Sequence, residues 1–201
     1  LSLLTAFKQV PPALAVLASD PELKIDAFLC PAHVSAIIGA EAYRPFVRDY
    51  KRPCVIAGFE PLDILLGLKG ILEQLRDGRA EVDNQYSRVV RAQGNRLAQQ
   101  LMEKYLEPVD VVWRGLGAVP GSGLGLRARY SLYDAAKRHG VVVRSTPEPP
   151  GCRCGDVIKG KVKPPDCLLF GKACEPTHPV GPCMVSAEGT CAAYYKYSEI
   201  R

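Results

Sequence analysis

The sequence has little aromatic content: 7% of its 201 residues, with one Trp, three His and two Met. A nucleic-acid groove built on stacking aromatics is therefore not indicated. The net charge of +5 is mild, and the basic residues are scattered (Lys51, Arg52, Arg76, Arg79, Arg88, Arg91, Arg127, Arg129, Lys137, Arg138) as on a solvated surface. Long apolar runs are missing too. A membrane span needs roughly 18–20 of them in a row, and Lys, Asp, Gly or Pro interrupts every run here. No Met opens the chain, and no basic start, apolar stretch and small-residue cleavage site mark a signal peptide. A strand already under way at Ser2–Phe7 reads as the C-terminal part of a longer, cytoplasmic protein. Repeats beyond an alternation of strands and helices, and low-complexity tracts, are absent.

What is present is enough apolar residue, 47%, to bury a core without disulfides. LSLLTAF, KIDAFLC and PCVIAG read as strands. Each is followed by a helical pattern: PPALAVLAS with Pro in its first turn, HVSAIIGAEAYRPFVRDY, and EPLDILLGLKGILEQLRDG. In the last, Leu62, Leu65, Leu66, Leu68, Leu72 and Leu75 fall at helical spacing, and Asp77 and Gly78 supply a stop. This alternation predicts α/β architecture built from βαβ units on a parallel sheet. The middle third continues it. EVDNQYSRVVRAQGNRLAQQLMEKYLE is an irregular opening and a long amphipathic helix, ended by Pro108 before the buried strand VDVVWRGLG. GLGAVPGSGLG lacks the spacing of a phosphate or dinucleotide loop and reads as a turn. RYSLYDAAKRHG is a helix, VVVRS a last short strand, and Pro147, Pro149 and Pro150 mark a boundary. The expected organisation is residues 1–80 as one α/β domain, 81–150 as the remainder of a second, and 151–201 as an irregular tail.

In that tail apolar periodicity stops, and six of the eight cysteines fall between Cys152 and Cys191 in the pattern C-x-C-x12-C-x6-C-x8-C-x7-C. A segment so poor in apolar residues must be ordered by covalent or metal bonds. Structural zinc sites show short C-x2–4-C knuckles, and none occurs here. Six cysteines in a disulfide framework suit a secreted mini-protein rather than an α/β domain. An iron–sulfur cluster needs four thiolates, and six minus four leaves two for a redox pair. Spacing leaves all three readings open.

The run CRCGDVIKGKVKPPDCLLFGKACEPTHPVGPCMVSAEGTCAAYYKY resembles the C-terminal signature of the HypD family of hydrogenase maturation proteins. DAFLCPAHVSAIIG, IAGFEPLDILLG, NQYSRVVRAQGN and WRGLGAVPGSGLGLR resemble that family's interior segments in the same order, so the resemblance covers essentially the whole chain. It implies one [4Fe–4S] cluster on Cys152, Cys167, Cys174 and Cys191, with Cys154 and Cys183 as a pair able to form a disulfide beside it. It also implies a role as scaffold and redox relay in assembling the Fe(CN)2CO group of [NiFe]-hydrogenase. In the full-length protein a transient Fe(CN)2CO iron centre is held together with a small chaperone of the HypC type. Cyanide comes from maturation proteins of the HypE and HypF type; nucleic acid and membrane play no part. The family's Gly-Phe-Cys-Gly-Gly-His and Gly-Pro-Gly-Cys-Pro-Val-Cys runs, which form its iron site, are not in this sequence. The resemblance therefore assigns the electron-relay end of the machine to this chain. The readings from other classes are a stand-alone iron–sulfur electron-transfer or redox-sensor protein, and a zinc-stapled binding domain.

Other residues carry weaker signals. Cys30 and Cys54 flank apolar strands and read as buried structural thiols. His33 sits where sites of open α/β sheets gather, with capping or packing as its simpler role. His178 is a stray candidate ligand, His139 a helix end, and Glu60 and Asp63 suit the positive end of the third helix.

Overall fold

The computed structural model describes residues 1–142 and 148–198. Its first layer is a parallel sheet in the order β2 (Phe28–Pro31), β3 (Cys54–Ala57), β4 (Val82–Asn84). Phe28 stands opposite Cys54, and Cys54 opposite Val82. Every residue of β3 is buried, as the central strand of a parallel sheet requires. Cys30, Cys54, Tyr43, Phe46 and Ile56 form the heart of the core, so both isolated cysteines are buried. The interaction with the neighbouring Cys54 thiol, followed by burial, pushes the Cys30 thiol far above its usual range.

Helices α2 (Ala32–Ile38) and α3 (Arg44–Tyr50) divide what reads as one helical stretch. The break is Gly39, at φ +86°, where a side chain would lie 2.4 Å from the carbonyl oxygen of Ala92. Gly94, at φ +69°, approaches Ile37 O and Gly39 N as closely from the other side. The two segments are stitched by Glu41 N–H donating to Ala92 O (3.0 Å) and Asn95 N–H donating to Ile37 O (3.0 Å).

Helix α4 (Pro61–Arg76) follows β3 and is inverted in its packing. Its buried positions are Asp63, Gly67, Gly70 and Gln74, whereas Leu65 and Leu72 are 63% and 66% exposed. The glycines let the helix backbone lie directly on Leu29, Ala57 and Val55. Asp63 is held by Arg88, whose guanidinium donates to both carboxylate oxygens (2.9 and 2.7 Å) and covers the Tyr86 ring. Leu65→Gln and Leu72→Gln should therefore leave the denaturation midpoint within about 0.5 kcal/mol of the parent, because both are exposed and Gln matches Leu in helix propensity. A loss of several kcal/mol in chemical denaturation would show that this face is buried in the folded chain.

The second layer corrects the expectation of parallel strands throughout. It is antiparallel, in the order β1 (Phe7–Lys8), β6 (Gly117–Leu126), β5 (Leu106–Trp113). The opening strand is only Phe7–Lys8, preceding α1 (Val10–Ala18), which has Pro near its start as anticipated. The glycine-rich run read as a turn is the ten-residue strand β6. Gly123 and Gly125 face the valines of β5: a side chain on Gly123 would meet Val111 Cγ1 at 2.4 Å, and one on Gly125 Val109 Cγ1 at 3.0 Å. A bulge at Asp110 lets its carboxylate accept the Gly121 N–H (2.7 Å). Pro108 lies inside β5 rather than before it, tolerated because β5 is an edge strand. The preceding helix is α5 (Arg96–Tyr105), capped by Asn95, whose side chain accepts the Ala98 N–H.

The boundary expected at residue 80 falls between β3 and β4, which pair within one sheet, and β1 joins strands from the following span. The helix expected in RYSLYDAAKRHG is a 3-10 turn and then the single-turn α6 (Ala135–Arg138). Val141 and Val142 lie in no strand, and the rest of the VVVRS strand, with Pro147, lies outside the described residues. No helix among the described residues is long and apolar enough to cross a membrane.

The tail carries three short helices, α7 (Cys154–Ile158), α8 (Pro182–Val185) and α9 (Thr190–Tyr197). It is moored to the α/β body at two points. Lys159 Nζ reaches Asp20 Oδ2 (2.8 Å), Lys161 pairs with Asp20 and Glu22, and Lys24 N–H donates to Lys159 O (3.1 Å). The hydrogen bond from Lys159, with help from the Glu22 backbone, holds Asp20 at about 2. At the second point, the β5–β6 turn lies on the tail: Gly115 N–H donates to Glu148 Oε1 (3.1 Å), and a side chain on Gly155 would strike Gly115 O.

Candidate metal centre

The six tail cysteines, spread over forty residues, line one small cavity together with Arg153, Val157, Leu169, Phe170 and Gly181. Short local motifs aim each thiol inward. Cys154 and Cys191 sit in the first turns of α7 and α9, and Cys183 sits in α8. Cys167 follows a 3-10 turn over Pro164–Asp166, and its N–H donates to Pro164 O (3.1 Å). Cys174 is pinned by its N–H to Leu169 O (2.9 Å), and its sulfur accepts the Val180 N–H (3.4 Å). Cys152 is tied through its N–H to Pro149 O (3.0 Å). Four thiols, Cys154, Cys174, Cys183 and Cys191, are buried; Cys152 and Cys167 are partly exposed.

The thiols fall into contact groups that sequence spacing does not reveal. Cys183 Sγ is 3.0 Å from Cys191 Sγ. The neighbouring Cys154 thiol holds Cys183 down at about 6, and Cys154 is raised in turn by Cys183 and by burial. Burial and then the Cys183 sulfur push Cys191 up. Burial, with the nearby Cys183, Cys167 and Cys174, raises Cys152. Cys183 is thus the hub of the group. All eight cysteines among the described residues are free thiols.

Two glycines missed at the level of sequence shape this centre. A side chain on Gly181 would lie 2.5 Å from Cys152 Sγ, and one on Gly189 would lie 2.3 Å from Cys183 O. Each stands two residues before a cysteine in the sequence, but nothing in the pattern tells which thiol it clears. Outside the cavity, Cys152 and Cys154 also form part of the wall of an open cleft of about 250 Å³, beside Arg114, Gly115 and Glu148.

The donor set suits a soft, thiophilic group, with six sulfurs and walls that are apolar apart from Arg153. The fit is one of chemistry rather than of volume. The cavity measures about 10 Å³, close to one water, and among the described residues no three side chains already form a ligand shell for an ion. A four-iron cluster would draw these sulfurs outward around itself. Of the weaker candidates, none joins the cavity. His33 is exposed and stacks on Phe59 (5.2 Å), His178 pairs with Glu175 and Thr177, His139 contacts Ser2, and Asp63 is buried with Arg88.

Fold and centre together define an α/β protein whose tail gathers six thiols around one small cavity. The family model described as HypD, Hydrogenase formation hypA family, matches residues 1–198. A hydrogenase maturation factor HypD of Rhizobium leguminosarum bv. viciae is 47% identical over 180 residues, which cover 89% of this chain and 47% of that protein. A putative hydrogenase expression/formation protein of Methanocaldococcus jannaschii is 42% identical over 198 residues, 98% of this chain and 55% of that one. For a hydrogenase maturation factor HypD of Azotobacter vinelandii the values are 46% over 197 residues, 95% and 52%. The chain belongs to the HypD family. It spans about half the length of the curated relatives it matches.

Proposed function

We propose that this chain is the redox module of a hydrogenase maturation factor. Cys152, Cys167, Cys174 and Cys191 hold a [4Fe–4S] cluster, and Cys154 and Cys183 act as a dithiol/disulfide beside it. The observation that carries this reading is the convergence of six thiols on one cavity, with Cys183 Sγ 3.0 Å from Cys191 Sγ and Cys154 lining the same cavity. When bound, the cluster supplies one-electron transfer. The residues do the rest: Cys154 and Cys183 pass between dithiol and disulfide, exchanging two electrons and two protons. Gly181 and Gly189 keep the sulfurs close, and Val157, Leu169 and Phe170 keep water away. In the whole protein this end would serve a scaffold that holds the Fe(CN)2CO centre with a small HypC-type chaperone, as cyanide arrives from HypE- and HypF-type partners.

Anaerobically purified protein should be brown, with about four iron and four sulfide per chain and broad absorption near ~400 nm. Ala substitution at Cys152, Cys167, Cys174 or Cys191 should abolish the colour. Substitution at Cys154 or Cys183 should keep the colour and remove a reducible disulfide. Colourless protein with one zinc, or equal bleaching by all six substitutions, overturns the assignment. The maturation role is tested separately: in a strain lacking the gene, the whole protein with Cys154→Ala should fail to restore hydrogenase activity while keeping its iron.

A further inference from the structure

Cys183 shares the six-thiol cavity with Cys154 and Cys191. Cys154 also lines the neighbouring cleft under the β5–β6 turn. Cys191 Sγ lies 3.0 Å from Cys183 Sγ. That contact is set by backbone: Gly189, immediately before α9, brings this helix start against the Cys183 carbonyl, where a side chain would come within 2.3 Å. Disulfide exchange requires an incoming sulfur beside an existing S–S bond, and Cys191 is in place to attack Cys183. The ring closed by Cys183 and Cys191 also contains far fewer residues than that closed by Cys154 and Cys183, which favours it on chain entropy.

We propose that in the cluster-free chain the disulfide on Cys183 passes from Cys154 to Cys191, masking a cluster ligand until it is reduced. The inference rests on the assignment of Cys191 to the cluster. The chemistry balances with a small-molecule disulfide, RSSR, as oxidant. The Cys154 thiolate, at the cleft, attacks one sulfur and RS⁻ leaves. Cys183 displaces the second RS⁻, forming the Cys154–Cys183 bond. In total two protons and two electrons pass to RSSR, which leaves as two RSH. Cys191 then attacks Cys183 and Cys154 departs, taking up the proton that Cys191 loses; this last step is redox-neutral. With iron on Cys191 the last step is blocked, and the disulfide stays on Cys154. The position of the bond thus follows cluster occupancy.

The test is a disulfide map of the full chain. Protein produced without iron, reduced and then treated with oxidised glutathione, is alkylated and cleaved after Glu188, which lies between Cys183 and Cys191. The expected product links Cys183 to Cys191 and leaves Cys154 alkylated. The same treatment of iron-loaded chain should link Cys154 to Cys183. Iron uptake by the oxidised chain should be lost until a dithiol is added, and Cys183→Ser should restore it without dithiol. Gly189→Ala should shift the iron-free map toward the Cys154–Cys183 link. A Cys154–Cys183 link dominating in the iron-free chain, or full iron uptake by the oxidised chain, overturns the proposal. If even the reduced chain takes up no iron, it is the cluster assignment that fails, while the map of the iron-free chain still decides the exchange.

Discussion

Gly39→Ala should destabilise the chain by on the order of 4 kcal/mol, enough to leave it largely unfolded at moderate denaturant. Two costs combine. At φ +86° an L side chain is strained, and its Cβ would sit 2.4–2.6 Å from backbone atoms of Ala92, Gln93 and Gly94, which cannot rotate away. The displaced segment carries the hydrogen bonds that join the end of α2 and the turn at Ala40 and Glu41 to the Arg91–Asn95 loop. Gly78 is the control. Its φ is +63° but nothing lies within 4 Å, so Gly78→Ala should cost only about 1 kcal/mol. Urea unfolding of the two variants separates steric from conformational cost. Similar midpoints would mean that the Gly39–Gly94 crossing is not closely packed.

Gly181→Ala should produce the largest functional effect of any change that leaves all six tail thiols in place. The new methyl would lie 2.5 Å from Cys152 Sγ and near Cys152 and Cys154 Cβ, so Cys152 must leave the common cavity. Iron per chain after anaerobic reconstitution should fall severalfold, and the α/β core, remote from this contact, should unfold at the parent's midpoint. Full iron content in Gly181→Ala protein would show that Cys152 reaches the cluster from another position. A change at Gly171, where a side chain would meet only Tyr195 at 3.9 Å, should leave iron content alone.

The parts of this molecule that were legible in the sequence share one property: they depend on local chain chemistry. PCVIAG is a fully buried strand whose apolar run and flanking Pro and Gly announce it. Pro near the start of α1 and the Asn95 cap of α5 are equally local. The thiols of the tail declare their own number and kind. Other features turned on what crosses them in space. The Gly-rich run became strand β6 because Val109 and Val111 of β5 lie over its glycines. Helix α4 shows a leucine periodicity that any reader of the sequence finds, yet its leucines face outward, because Gly67 and Gly70 allow a closer approach to the sheet than leucine would.

The same division runs through the candidate centre. By itself the sequence determined an α/β body, a thiol-rich tail poor in apolar residues, and a family resemblance carried by the residues of the tail run and of the interior segments. Only the tertiary structure decided the antiparallel second layer and the moorings of the tail at Asp20 and Gly115. It alone brought Cys183 against Cys191 and into one cavity with Cys154. The reason is physical: cysteines up to forty residues apart become neighbours through turns, helix starts and glycine contacts. Those contacts are set by the whole packed segment, and no spacing rule encodes them.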